Sequence, residues 1–175
     1  MNLKKILINT IGIFILCSII HFGYSTFPNF FTSIFCPVNE SIWEHLKMIF
    51  SSTVIYTLIR RIFVNEQAFL IEAYLKSMLT IIVLLIIYLP VNYMLGEILI
   101  LTMIILLISI FISEVIVSKL PLKKHHKTLN IIGAILIIIN FIVFTYLSYN
   151  PIKVGLLYDK PSDKYGIDTL NKWIS

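Results

Sequence analysis

Glu97–Val117 reads EILILTMIILLISIFISEVIV, with no charge between Glu97 and Glu114. A helix of about 20 such residues, rising about 1.5 Å each, reaches across the hydrocarbon core of a bilayer. Four more stretches have this character: Ile6–Tyr24, Leu46–Phe63, Tyr74–Tyr93 and Leu129–Tyr149. Pro90 is expected to kink or end the third of them. Around these runs the chain of 175 residues is 58% hydrophobic and 13% charged, with mean hydropathy +0.93. An ordinary soluble domain carries about 25% charge. A disordered chain is excluded, and a soluble domain this apolar would expose large sticky patches. The predicted fold class is all-α. Residues 1–149 form an integral membrane helical bundle of five transmembrane helices, and residues 150–175 are too polar to span.

Charge sets the expected direction. Lys4 and Lys5 precede the first run, and Arg60 and Arg61 close the second. Lys119, Lys123, Lys124 and Lys127 lie between the fourth and fifth. Five antiparallel spans put all eight on one side. The opposite connections, Ser25–Val38 and Pro90–Gly96, hold no Lys or Arg. The positive-inside rule then places the N-terminus in the cytoplasm and the tail outside. Lys153, Lys160, Lys164 and Lys172 on that tail are offset by Asp159, Asp163 and Asp168. The first run has no cleavage site and reads as an uncleaved span in the cell membrane. Lys far outnumbers Arg and Ile is abundant, which suggests a bacterial chain from an AT-rich genome. The net charge of +5 has no basic patch interleaved with aromatics, so no nucleic-acid partner is expected. Cys17, in a span, and Cys36, in a connection, are not expected to pair.

The polar groups cluster around Pro37-Val38-Asn39-Glu40-Ser41-Ile42-Trp43-Glu44-His45-Leu46-Lys47. Asn39 reads as the N-cap of the second helix, with Glu40 against its dipole. At about 100° per residue, Glu40, Glu44, Lys47 and Ser51 share one stripe and Ser41, His45 and Ser52 the next. Ile42, Leu46, Ile49 and Phe50 fall opposite. The plainer reading has Glu40 and Glu44 capping the helix, Lys47 as their partner and Trp43 as an interfacial anchor. The topology also gathers His21, Glu40, Glu44, His45 and Glu97 at the outer mouth, near Asn92. Histidines with carboxylates suit zinc or another divalent ion, and His21, Glu44, His45 and Asp159 are the candidate metal ligands. Elsewhere Glu72 is expected to pair with Lys76 and Glu114 with Lys119, and Asn140 to bond between helices. His125 and His126 belong to a basic loop facing anionic lipid. No phosphate-binding Gly-rich loop and no nucleophile elbow occurs.

That segment, together with Leu156-Leu157-Tyr158-Asp159-Lys160-Pro161-Ser162-Asp163-Lys164-Tyr165-Gly166-Ile167, resembles an uncharacterised family of small multi-pass bacterial membrane proteins. The family pairs PVNESxWEHLK near the second span with a tail of the form F-x-D-P-x-x-x-x-YG, and His21 also fits its pattern. Lys160 and Tyr158 depart from that tail pattern. The resemblance marks Asn39, Glu40, Ser41, Trp43, Glu44, His45, Asp159, Tyr165 and Gly166 as candidates and implies no reaction.

Three functions follow. The first is a membrane protein whose outer polar site (His21, Asn39, Glu40, Ser41, Glu44, His45, Glu97, Asp159 and Tyr165) binds a lipid headgroup, small molecule or ion. The second is a metal-dependent lipid hydrolase, with His21 and His45 on the metal and Glu44 or Asp159 as third ligand or base. The third is a transporter subunit or a partner-binding membrane protein. A transporter of this size without a repeat needs to assemble as a homo-oligomer. The tail carries Pro151, Pro161 and Gly166, so turns are expected there, with Leu170, Trp173 and Ile174 as an interfacial anchor. It is expected to fold back as a lid over the second helix.

Overall fold

The structure, a computed structural model, describes residues 3–64, 67–122 and 126–167. The basic residues Lys123 and Lys124, His125, and the anchor residues Leu170, Trp173 and Ile174 lie outside the described residues. Among the described residues the regular structure is helical apart from one short hairpin. Five long helices carry the fold: α1 (Leu3–His21), α4 (Ile42–Phe63), α5 (Phe69–Leu95), α6 (Leu99–Ser118) and α7 (His126–Tyr149). Two short helices, α2 (Gly23–Thr26) and α3 (Phe30–Phe35), bridge α1 to α4. A 3-10 turn at Gly155–Leu157 leads into strands β1 (Tyr158–Asp159) and β2 (Lys164–Tyr165), which pair antiparallel.

Four segments are long and apolar enough to cross a membrane: Leu3–Thr26, Phe69–Leu95, Leu99–Ser118 and His126–Tyr149. Their outward faces are largely apolar and rich in Ile and Leu, for example Ile8, Ile11, Ile15 and Ile19 on α1 and Ile131, Ile135, Ile138 and Ile142 on α7. The inward face of α1 instead buries Asn9 and Thr10 beside Ile6, Ile13, Cys17 and Ile20. That inversion fits a lipid solvent, where apolar contact outside is free and polar groups must find partners inside. By length and composition this is a multi-pass membrane protein.

α4 is the exception to the apolar rule. Glu44, Lys47, Arg60, Arg61 and a run of Ser and Thr lower its hydropathy, and α1, α3, α5 and α7 surround it. A helix sheathed by others does not need an apolar surface. Ser52, Thr53 and Thr57 return their hydroxyls to Met48, Ile49 and Thr53 carbonyls at 2.8–2.9 Å, whereas the buried Ser51 hydroxyl has no protein partner among the described residues. Leu46, Ile49 and Phe50 are buried together with Glu44 and Lys47, so the helix has no lipid face along its first half. α1, α4, α5 and α6 form a ring, with α7 against α5 and α4. Gly133 permits the α5–α7 contact: a Cβ there would stand 2.5 Å from the Ile71 backbone nitrogen.

Pro90 does not end α5. The helix runs through it to Leu95 and stops at Gly96, whose φ is +75°. Asn92 therefore lies in the last turn, not in a loop. Asn140 bonds the Leu136 carbonyl of its own helix at 3.0 Å. Glu114 takes Lys76 at 3.0 Å and Asn9 at 2.7 Å, not Lys119 as expected, and Lys76 also reaches Glu72 at 3.7 Å. The bundle interior thus supplies a nearer cation than the loop. Trp43 packs inward on Phe144, ring centroids 4.8 Å apart. Cys17 and Cys36 are free thiols.

Candidate metal and ligand site at one end of the bundle

Helix α4 begins two residues later than the sequence suggests, and the site depends on this. Asn39 caps nothing: its Oδ1 accepts the Ser41 amide at 2.9 Å in a tight Asx turn. Ser41 is the N-cap and accepts from the Glu44 amide at 3.4 Å. Side-chain bonding by Asn to its own backbone competes with helix entry, and here it delays it. Glu40 consequently stands in the turn before the helix, free to reach toward α1.

His21 is the last residue of α1, stacked on Phe22 and edge-on to His45 at 5.2 Å. His45 Nδ1 lies 2.9 Å from the Ser41 carbonyl. A carbonyl oxygen only accepts, so Nδ1 carries a proton and Nε2 is the nitrogen turned toward Glu40. Glu40 Oε2 is 3.4 Å from this Nε2 and 3.7 Å from Nε2 of His21. One ligand atom from each residue falls within 4.8 Å of the other two. The side chains are 27%, 34% and 52% exposed for His21, His45 and Glu40, so solvent reaches them.

A cavity of about 380 Å³ adjoins this cluster. Glu40 and His45 form one polar edge, and Glu97 with Lys160 another. Leu46, Ile49, Leu84 and Leu106 give apolar walls from α4, α5 and α6. Gly155, Tyr158 and Pro161 of the tail line it as well. Asn39 donates to the Gly166 carbonyl at 3.1 Å, and the Ile167 amide to the Ser148 carbonyl at 2.8 Å. Lys160 donates to Glu97 at 2.7 Å, and that carboxylate raises the lysine pKa above its ordinary value.

Glu44 lies behind the cluster. Its oxygens accept from Lys47 at 2.5 Å, Ser148 Oγ at 2.5 Å and the Val38 amide at 3.1 Å, and Lys47 also donates to the Ser33 carbonyl at 2.8 Å. The pair is fully buried. Asp159 is buried in the hairpin, where Ser162 donates to one oxygen and the other has no protein partner. Tyr165 packs on Tyr158, whose hydroxyl donates to Asp163. Of the expected ligands, the structure brings together His21 and His45, with Glu40 in place of Glu44 and Asp159. Ser41 orients His45, Asn39 ties down the tail, and Glu97 holds Lys160. Sequence reasoning missed Ser148, Ser33 and the partnership of Lys160. A serine near a span end carries no signal of its own, whereas Lys160 stood out as a departure from the family tail.

The blocks that build this end, Pro37–Lys47 and Leu156–Ile167, are the ones that carried the family resemblance. The model of a family of unknown function, DUF6512, matches residues 1–167. The chain belongs to this family. Its match thus takes in α1 through the hairpin, ending where the described tail ends. No curated protein and no solved structure matches the chain.

Proposed function

We propose that this DUF6512 member is a five-span protein of the cell membrane, with its N-terminus in the cytoplasm. In this reading it binds an amphipathic, lipid-like molecule in the cavity between α4, α5 and α6. The observation that carries the reading is the cavity itself: apolar walls on membrane-crossing helices α5 and α6, and a rim of Glu40, His45, Glu97 and Lys160. An acyl or prenyl chain gains about 0.8 kcal/mol per buried CH₂ when taken from water. Taken from lipid it gains little, so selection rests on the head. A rim carrying both signs suits a zwitterionic or hydroxyl-bearing head. The hairpin covers this rim from the tail side, which supports enclosure of the head.

Native mass spectrometry of the protein from mild detergent tests this. One lipid-like adduct per chain, enriched over the bulk lipid, is the expected result. Leu106→Trp fills the cavity from a half-buried wall position and is expected to reduce the adduct about tenfold or more, as loss of well-packed contact predicts. An adduct matching bulk composition and insensitive to Leu106→Trp overturns the reading.

A further inference from the structure

We infer that His21, Glu40 and His45 bind one divalent transition-metal ion, with zinc the best match. Two segments of the chain converge to make the cluster: the end of α1, and the entry to α4, which supplies Glu40 from the turn before the helix and His45 from its first turn. For bonds of about 2.0–2.1 Å, neighbouring ligands of a tetrahedral ion lie about 3.3–3.4 Å apart. Glu40 Oε2 is already 3.4 Å from His45 Nε2 and 3.7 Å from His21 Nε2. The remaining edge, within 4.8 Å, closes by turning the His21 ring about its side-chain bonds. His45 is prepared by the hydrogen bond from Nδ1 to the Ser41 carbonyl, the outer-shell contact that fixes tautomer and ring plane in metal-bound histidines. Nε2 is the nitrogen aimed at a Glu40 carboxylate oxygen, so a single cation between them would be held by both. Two imidazoles exclude calcium and magnesium, which take oxygen ligands.

Three protein ligands leave a fourth position open, as in zinc sites that act on a bound molecule and unlike closed structural ones. Glu40 and His45 also line the cavity, so the open position adjoins it. The metal does not depend on the cavity's occupant. Glu44 and Lys47 neutralise each other behind the cluster, and Lys160 is engaged by Glu97, so neither cation opposes an ion at the histidines.

Cobalt(II) and zinc titration of the metal-stripped, lipid-stripped wild-type chain is the test. One ion per chain is expected, with the visible bands of four-coordinate cobalt and an X-ray absorption shell of nitrogen and oxygen only. His45→Ala and Glu40→Gln are expected to weaken binding about 100-fold or more, beyond the loss typical of outer-shell changes. Glu72→Gln, in the first turn of α5 and away from the cluster, is expected to bind as wild type. Wild type that takes up no ion overturns the inference, as does sulfur in the shell. Equal binding by wild type and folded Glu40→Gln, judged by thermal unfolding, overturns it too. Should both variants misfold, the wild-type stoichiometry and shell decide. Lipid adducts are read separately, so failure here leaves the cavity proposal standing and the reverse.

Discussion

Glu44 and Lys47 make the most demanding pair in the molecule, because both are fully buried. Removing one partner of such a pair costs about 3–5 kcal/mol by stranding the other charge. Glu44→Gln is therefore expected to lower thermal stability sharply in detergent. Gln keeps one acceptor oxygen for the Val38 amide and turns its NH2 toward the Ser148 hydroxyl, which can accept, so the loss comes chiefly from the unneutralised ammonium. The double variant Glu44→Gln/Lys47→Met removes that ammonium and is expected to be more stable than Glu44→Gln alone. A double variant less stable than the single would show that Lys47 acts through the Ser33 carbonyl and Ser148 instead. The sequence revealed that Glu44 and Lys47 share a stripe one turn apart. It did not reveal that the stripe is covered by α3 and α7, because the covering atoms, Ser33 and Ser148, lie 14 and 101 residues from Lys47. A separation of 63 residues likewise hid the partnership of Lys160 with Glu97.

At the scale of elements, a shift of two residues in one helix start decides the cluster. Asn39 and Ser41 are both good caps, and local preference does not separate them. What separates them is the Gly166 carbonyl, which takes the Asn39 amide group and lies 127 residues away. Gly166 itself is held to its place twice over. Its φ is +63°, and a Cβ there would come within 2.5 Å of the Ser148 carbonyl oxygen. A non-glycine residue pays about 1–2 kcal/mol for the left-handed conformation alone. Gly166→Ala is expected to release the hairpin, seen as faster amide exchange over 158–165 with the helices unchanged. Lys160→Met should produce a milder version, since its link to Glu97 is exposed and screened by salt. In wild type, salt of about 1 M should move exchange toward the variant. The raised lysine pKa fixes the sign with pH: the link is complete below the ordinary lysine value and is lost as pH rises through the raised one. Unchanged exchange in Gly166→Ala would mean that the hairpin holds without the 166–167 contacts.

For the whole molecule the open question is whether α4 crosses. Apolar runs and the 3.6-residue period were enough to locate the five long helices, and α5 differed in starting at Phe69, ahead of Tyr74, and in running on past Pro90 to Leu95. Composition was not enough to class α4, because burial by neighbours, not hydropathy, makes its polar surface tolerable. Two contacts at opposite ends of α7 supply the argument. Near its start, Asn130 accepts the Leu70 amide at 3.0 Å and donates to the Gln67 carbonyl at 2.6 Å, both at the entry to α5. Near its end, Ser148 bonds Glu44 and Lys47 in the first turns of α4. α7 is long and apolar enough to cross, so in the proposed five-span reading the start of α4 and the start of α5 belong to opposite faces, with α4 traversing between them. With five crossings the tail lies across the membrane from the N-terminus, and Lys4, Lys5, Arg60, Arg61, Lys119 and Lys127 share the cytoplasmic face. A C-terminal alkaline phosphatase fusion should be active and a C-terminal GFP fusion dark, whereas GFP fused after Val64 should fluoresce. A bright C-terminal GFP would put the tail in the cytoplasm and overturn the reading of five crossings with the N-terminus inside, since the Asn39–Gly166 bond and the His21–Glu40 contact hold the tail at the end of the bundle where α1 finishes.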